Sequence, residues 1–197
     1  MTDNDHSQHD EPSRSPHDRD PEQPSGGNGT RWTTRPETPA DAEAVHAVNA
    51  AAFPTDAEAH LVDALRGDPQ AWLPGLSCLA EAPDGSVAAY ALLTRCLVGG
   101  VPALALAPVA TAPEHQRRGA GQAVVRAVLD AARLRAEPLV LVLGHPGYYP
   151  RFGFVPASRY GIRPGFEVPD EAMMALVLDD SGPVPQGTIQ YPAAFGI

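Results

Sequence analysis

With 197 residues and a mass of 20.7 kDa, the chain suits one domain with a sizeable core. Its formal net charge of -10, with all 14 basic residues being arginine, argues against nucleic acid as a main partner, because neutralising phosphates takes clustered cations in excess; an acidic body suits a cationic partner such as an amine. The start is polar and acidic with no apolar signal core, and no apolar run approaches the roughly 18 residues of a membrane span, so a cytoplasmic protein with no membrane segment is expected.

Residues 1–30 hold seven acids (Asp3, Asp5, Asp10, Glu11, Asp18, Asp20, Glu22) against Arg14 and Arg19, and almost nothing apolar. Such a segment cannot bury enough surface to offset its ordering entropy, so a disordered acidic tail is expected ahead of one domain over residues 31–197. The irregularly spaced His6, His9 and His17 read as part of that solvated tail, and no metal is expected. Arg31 to Arg35 reads as a first strand, ending before Pro36. Thr38-Pro39-Ala40-Asp41 then offers an N-cap, a proline at the first helical position and an acid near the third, which predicts a helix to about Phe53, stopped by Pro54. Thr55-Asp56-Ala57-Glu58 repeats the pattern and opens a second helix to Arg66, with Glu58 assigned to capping and Gly67 as terminator.

Leu76 to Ala82, the turn Pro83-Asp84-Gly85-Ser86, and Val87 to Val98 form a predicted hairpin, and Gly99-Gly100 turns the chain into a further strand, Ala103 to Ala110. Pro108 inside that strand cannot donate to a ladder, so a bulge or a bare edge is expected there. Cys78 and Cys96 fall in these strands and read as buried free thiols. A helix over Gln122 to Arg135 places Val124, Val125, Val128, Leu129 and Ala132 on one face and Gln122, Arg126, Asp130 and Arg133 on the other. The continuous apolarity of Leu139 to Leu143 fits a strand covered on both sides. A short helix around Tyr148 to Phe152 and strands near Phe154 to Arg163 and Met173 to Leu178 complete a mixed sheet, and the Pro- and Gly-rich end, Asp179 to Ile197, reads as a strap.

The strand-to-helix connection, Val109 to Gly121, ends in Gln116-Arg117-Arg118-Gly119-Ala120-Gly121. Gly119 and Gly121 remove the Cβ atoms that keep backbone N–H groups from a ligand. The first turn of the following helix adds unpaired donors and partial positive charge, and the two arginines add formal charge, which makes a phosphate cradle. A Walker loop is excluded because the chain has no lysine. A dinucleotide fingerprint fits poorly: its third glycine position is Val124, and the next strand ends Leu143-Gly144-His145 without an acid.

Gln116-Arg117-Arg118-Gly119-Ala120-Gly121 resembles the acyl-CoA motif Q/R-x-x-G-x-G/A of the GNAT acyltransferase superfamily. Tyr148-Tyr149-Pro150-Arg151-Phe152-Gly153-Phe154 matches a second signature of that superfamily at the expected distance downstream. Gly144 to Tyr149 and the closing Tyr191-Pro192-Ala193-Ala194-Phe195 look similar to its YhbS-like branch of predicted N-acetyltransferases, and the resemblance covers roughly residues 31 to 197. It implies an α/β fold with a mixed, mostly antiparallel central sheet, one splayed strand pair and flanking helices. It also implies acetyl-CoA as co-substrate and direct transfer to a primary amine of a small molecule in a ternary complex. The pantetheine arm is expected along Val109, Ala110 and Thr111, and the pyrophosphate at Gln116, Arg117, Arg118, Gly119, Ala120 and Gly121, with Arg118→Glu expected to weaken binding sharply.

Tyr149 occupies the position where the family commonly hydrogen-bonds the departing sulfur, and is the expected catalytic residue; Tyr148 reads as a core aromatic. The two early helices form one wall of the acceptor site, carrying Asp56, Glu58, His60 and Asp63. No general base is nominated: the strand Ala103 to Ala107 lacks the carboxylate that many family members carry there, Glu114 and His115 read as surface residues, and Asp56, His60 and His145 are distant candidates. That missing acid keeps open an acyl-CoA-binding sensor without turnover, and a protein or peptide N-acetyltransferase is a further alternative. A homodimer is compatible with all of these readings.

Overall fold

The computed structural model describes residues 32–196. The acidic tail expected over residues 1–30 lies outside the described residues. The chain runs β1 (Thr33–Pro36), α1 (Ala42–Ala52), α2 (Ala57–Arg66), β2 (Ser77–Glu81), β3 (Val87–Val98), β4 (Val101–Thr111), α3 (Ala120–Leu134), β5 (Leu139–Leu143), β6 (Val155–Pro156), β7 (Ile162–Arg163), β8 (Met173–Val177) and β9 (Gly187–Gln190). The sheet order is β1-β2-β3-β4-β5-β8-β6, with β9 against the far end of β3 and β7 beside β9. The first four strands are antiparallel, β4 and β5 are parallel, and β5 is antiparallel to β8. This is the mixed, mostly antiparallel sheet that was expected.

Alternation along the strands sorts the core into two faces, since successive side chains of a strand point opposite ways. Ala91, Leu93, Leu104, Leu106, Val140 and Val142 pack under the apolar face of α3, whose Val124, Val125, Val128, Leu129 and Ala132 are buried as the sequence pattern requires. On the other face, Tyr90 and Leu92 pack against Val45, Val48, Val62 and Leu65 of α1 and α2. Still on that face but further along, Cys96, Ala103, Ala105, Leu139 and Leu141 meet Ile162, Met173 and Ile189. Both cysteines are free and buried, and burial pushes the Cys78 thiol up to about 11 and that of Cys96 to about 12, which leaves them unreactive.

Three expectations shift. The first helix opens with a separate 3-10 turn, Pro39–Asp41, before α1. Glu58 makes no cap on α2: neither it nor Asp56 donates or accepts a capping bond, and Glu58 Oε2 is buried without a partner. The strand expected over residues 154–163 is two short bridges, β6 and β7, around a 3-10 turn, Ala157–Tyr160, closed by Gly161 at φ 68°. Pro156 lacks the N–H that a continuing ladder needs. The C-terminal strap docks through β9, where Leu97 pairs with Gln190 and Val98 with Ile189.

Candidate active-site cleft

The site forms where β4 parts from β5. The two pair at Leu104 with Val140 and at Ala105 with Leu141, and nowhere further along. Just beyond, β4 bulges: Ala91 pairs with Val109 and Leu93 with Leu106, so Ala107 and Pro108 together oppose the single residue Leu92. The bulge expected at Pro108 is therefore present. The end of β5 stays with β8 through Leu143, and the Gly144 N–H donates to Ala172 O at 2.9 Å. The edge of β4 from Leu106 to Thr111 thus faces β5 without a ladder. Its backbone groups are open to a ligand that pairs like a strand.

A cleft of about 700 Å³ occupies this parting. Val109 and Thr111 line it from β4, Gln116, Arg117, Gly119, Gly121 and Gln122 from the start of α3, His145, Tyr148, Tyr149 and Arg151 from the segment after β5, and Ala52 and Phe53 from the end of α1. Gly119 caps α3 at φ 91°, a left-handed geometry that suits glycine. A Cβ on Gly121 would sit 2.8 Å from Thr111 Oγ1 and 3.4 Å from Tyr148 Oη, so only glycine lets helix, strand and aromatic ring meet there. No acid stands in the first turn of α3, and Arg117 and Arg151 bring two guanidinium groups to the cleft. The loop is held from behind by Trp32, whose Nε1 donates to Arg118 O at 2.8 Å and whose ring meets His115 edge-on at 5.4 Å.

Of the ten expected site residues, Val109, Thr111, Gln116, Arg117, Gly119, Gly121 and Tyr149 line the cleft. Ala110 is buried in the cluster under α1, Ala120, the first residue of α3, is buried against the sheet, and the exposed Arg118 side chain is not on the cleft wall. Arg151, Gln122, Ala52 and Phe53 were not anticipated. Arg151 had a signal, lying inside the second signature run, while Phe53 comes to the cleft only through the packing of α1. Tyr148, expected in the core, lines the cleft, and Arg151 stacks over its ring at 4.5 Å while Arg151 Nε donates to Tyr148 O at 2.7 Å. His145 reaches the cleft; Asp56, His60, Glu114 and His115 do not, and among the described residues no carboxylate lines it.

Tyr149 is fixed by packing. Its ring lies 5.1 Å from Tyr148, 6.4 Å from Phe152 and 5.8 Å from Phe154, and a Cβ on Gly144 would collide with it. Burial, with a smaller contribution from Tyr148, pushes the Tyr149 phenol up to about 12, so it stays protonated throughout the neutral range.

The family model described as the acetyltransferase (GNAT) family matches residues 42–154. The chain belongs to this family. Among GNAT relatives it is 33% identical over 166 residues to the uncharacterised N-acetyltransferase YhbS of Escherichia coli strain K12, covering 82% of this chain and 96% of YhbS. To the uncharacterised N-acetyltransferase YjhQ of the same strain it is 38% identical over 136 residues, covering 66% of this chain and 74% of YjhQ. The crystal structure of E. coli YhbS in complex with CoA superposes with a TM-score of 0.77 at 28% identity, covering 85% of this chain and 93% of that one. A Brucella melitensis GNAT family acetyltransferase in complex with acetyl-CoA gives 0.68 at 30% identity, covering 84% and 98%. Among the described residues of this GNAT chain, no helix is long and apolar enough to cross a membrane.

Proposed function

We propose that the protein transfers an acetyl group from acetyl-CoA to the primary amine of a small molecule, both substrates being bound together. The observation that carries this reading is the unpaired edge of β4 opening onto a cleft whose other end is the acid-free, glycine-lined start of α3. The thiol arm would pair along Val109 to Thr111 and the pyrophosphate would meet the first N–H groups of α3 with Arg117 and Arg151. Two structural relatives, one with CoA and one with acetyl-CoA, support the same donor.

A second hollow of about 160 Å³ borders the same parting, walled by Ala107, Leu143, Phe166, Tyr191 and Phe195. Tyr149 packs on the α3 face of the sheet and Tyr191 on the opposite face, so the aromatic walls of the two hollows come from opposite sides of the sheet. That arrangement supports a ternary complex, and the apolar, aromatic wall suits an amine carried on a compact apolar body.

In the reaction the amine nitrogen bonds to the thioester carbonyl carbon, the C–S bond breaks, the amine loses one proton and the sulfur gains one. An alkyl amine near 10.4 must first be presented neutral, at a cost of about 4.6 kcal/mol at pH 7. We assign that proton to His145, the imidazole on the cleft wall, directly or through water. A phenol at about 12 lies roughly 3.5 pH units above an ordinary thiol near 8.5, a gap of about 5 kcal/mol, so Tyr149 stabilises the departing thiolate by a hydrogen bond and full transfer comes late.

Release of free thiol from acetyl-CoA, measured across a panel of alkyl and arylalkyl amines, tests the assignment. Turnover with an apolar primary amine is expected, and Tyr149→Phe is expected to lower kcat on the order of 100-fold with KM for acetyl-CoA little changed. Tight acetyl-CoA binding with no turnover on any amine would instead establish the sensor reading, which the absence of a carboxylate from the cleft wall among the described residues favours.

A further inference from the structure

Outside the cleft, α1 and α2 bring three metal-ligating side chains together. One ring nitrogen of His46 on α1, one of His60 on α2 and a carboxylate oxygen of Asp63 on α2 all lie within 4.8 Å of one another. His60 and Asp63 stand three apart, on one helix face. The rings of His46 and His60 meet edge-on at 5.5 Å, and His46 Nδ1 is 2.7 Å from Asp63 Oδ2. Donors about 2.0–2.2 Å from a tetrahedral ion lie roughly 3.3–3.5 Å apart, so small side-chain rotations would bring these three to ligand spacing.

The carboxylate is already oriented from the core. Asp63 Oδ1 accepts Arg66 Nη1 at 2.7 Å, which leaves Oδ2 turned toward the histidines. Arg66 is held in turn by Glu37 Oε1, at 3.1 Å from Nε and 2.8 Å from Nη2. Glu37 is 2% exposed, and its other oxygen accepts the hydroxyl of the buried Tyr90 at 2.9 Å. A chain of hydrogen bonds from β3 outward thus fixes one ligand oxygen, as outer-shell partners do in metal sites. A simple His–Asp clamp between the helices would account for His46 and Asp63. It would not account for His60, whose ring has no hydrogen-bond partner among the described residues.

We propose that His46, His60 and Asp63 bind one Zn²⁺ ion, a His₂–carboxylate site with its fourth position open to solvent, which ties α1 to α2. This runs against the expectation of a metal-free protein and is independent of the acetyl-transfer reading, since none of the three residues lines the cleft. An ion there would bear on the cleft only through the end of α1, where Ala52 and Phe53 border it. Imidazole and carboxylate donors select a borderline transition ion over Mg²⁺ or Ca²⁺.

Calorimetric titration of the untagged full-length chain with Zn²⁺ is the test, with Co²⁺ absorption as a reporter of tetrahedral nitrogen and oxygen ligation. His60→Ala is the informative variant because the side chain is exposed and hydrogen-bonded to nothing described, so the fold is expected to survive. One Zn²⁺ per chain is expected, with affinity reduced about 100-fold in His60→Ala, recovered in His60→Cys, and unchanged when His6, His9 and His17 are all replaced by Gln. No binding, equal affinity in His60→Ala, or loss of binding in the triple tail variant would each overturn the site, the last by assigning the ion to the tail.

Discussion

The starts of α1 and α3 sit on the same sheet and are built in opposite ways. At α1 the chain supplies its own acids: in the 3-10 turn leading into it, Asp41 Oδ2 accepts Thr38 N at 2.8 Å and Thr38 Oγ1 at 2.7 Å, Arg35 grips both oxygens of that carboxylate at 2.8 Å, and Glu43 stands in the first turn of α1 itself. Neither helix has a side-chain cap bond, but α3 also has no acid in its first turn, a left-handed Gly119 and a glycine at position 121. An α-helix start has four N–H groups to satisfy wherever it occurs. Where the protein supplies its own carboxylate, the partial positive charge of the terminus is already offset; where it supplies glycine and arginine, that charge is left for an anion from outside. α2 falls in the first class by composition, with Glu58 in its first turn, so among the α-helices of the described residues α3 is the one that lacks an acid there.

Making the start of α3 resemble that of α1 should produce the largest effect. Arg117→Glu places an acid at the cleft and removes a guanidinium, and is expected to weaken acetyl-CoA affinity on the order of 100- to 1,000-fold by calorimetry, with unchanged far-UV circular dichroism because the side chain is exposed. Arg118→Glu, off the cleft wall, should cost about tenfold or less through its longer-range field. If the two are equal, the loop is turned differently from this structure and the contrast between the helix starts loses its basis. Arg151→Ala sharpens the same point more gently: one charged hydrogen bond is worth about 1.5–3 kcal/mol, so roughly a 10- to 100-fold loss is expected, with the lower end following from its exposure and its stacking on Tyr148.

How much of this could be seen in the chain alone follows from the range of the interactions involved. The start of α3 was legible because its requirements are local: a left-handed cap favours glycine at 119, a missing Cβ requires it at 121, and Pro108 interrupts the ladder where the bulge forms. The alternation that buries Val124, Val125, Val128, Leu129 and Ala132 was equally local. Phe53 and Ala52 at the cleft, the docking of β9 on β3, and the split of residues 154–163 into two bridges depend on contacts between segments far apart in sequence, where no spacing rule applies. Tyr148 packs on the core as expected, and that it also lines the cleft was not legible for a related reason. Two adjacent tyrosines look alike in sequence, and only the fold brings both rings to the cleft, with the Tyr148 hydroxyl beside Gly121.

The smallest expected effect completes the comparison from the α1 side. Asp41 is held well below the usual carboxylate range, first by its hydrogen bonds with Arg35, against the opposing effect of burial, and then by Thr38. A depressed folded-state value means that ionised Asp41 stabilises the fold above the unfolded value of about 3.9, and that this contribution fades as pH falls toward the folded value. Asp41→Asn keeps the shape but removes the charge, so it should destabilise the protein at pH 7 by about 1 kcal/mol, the scale of a capping residue with its ion pair discounted for solvent screening. Urea midpoints of parent and variant should converge as the pH is lowered below about 4. Acetyl-CoA affinity at pH 7 should be the same in both, because a carboxylate that finishes one helix start has no part in the ligand chemistry of the other. A variant that lost binding while staying folded would show that the two helix starts are coupled, and that the division between a structural and a ligand-facing terminus is too sharp.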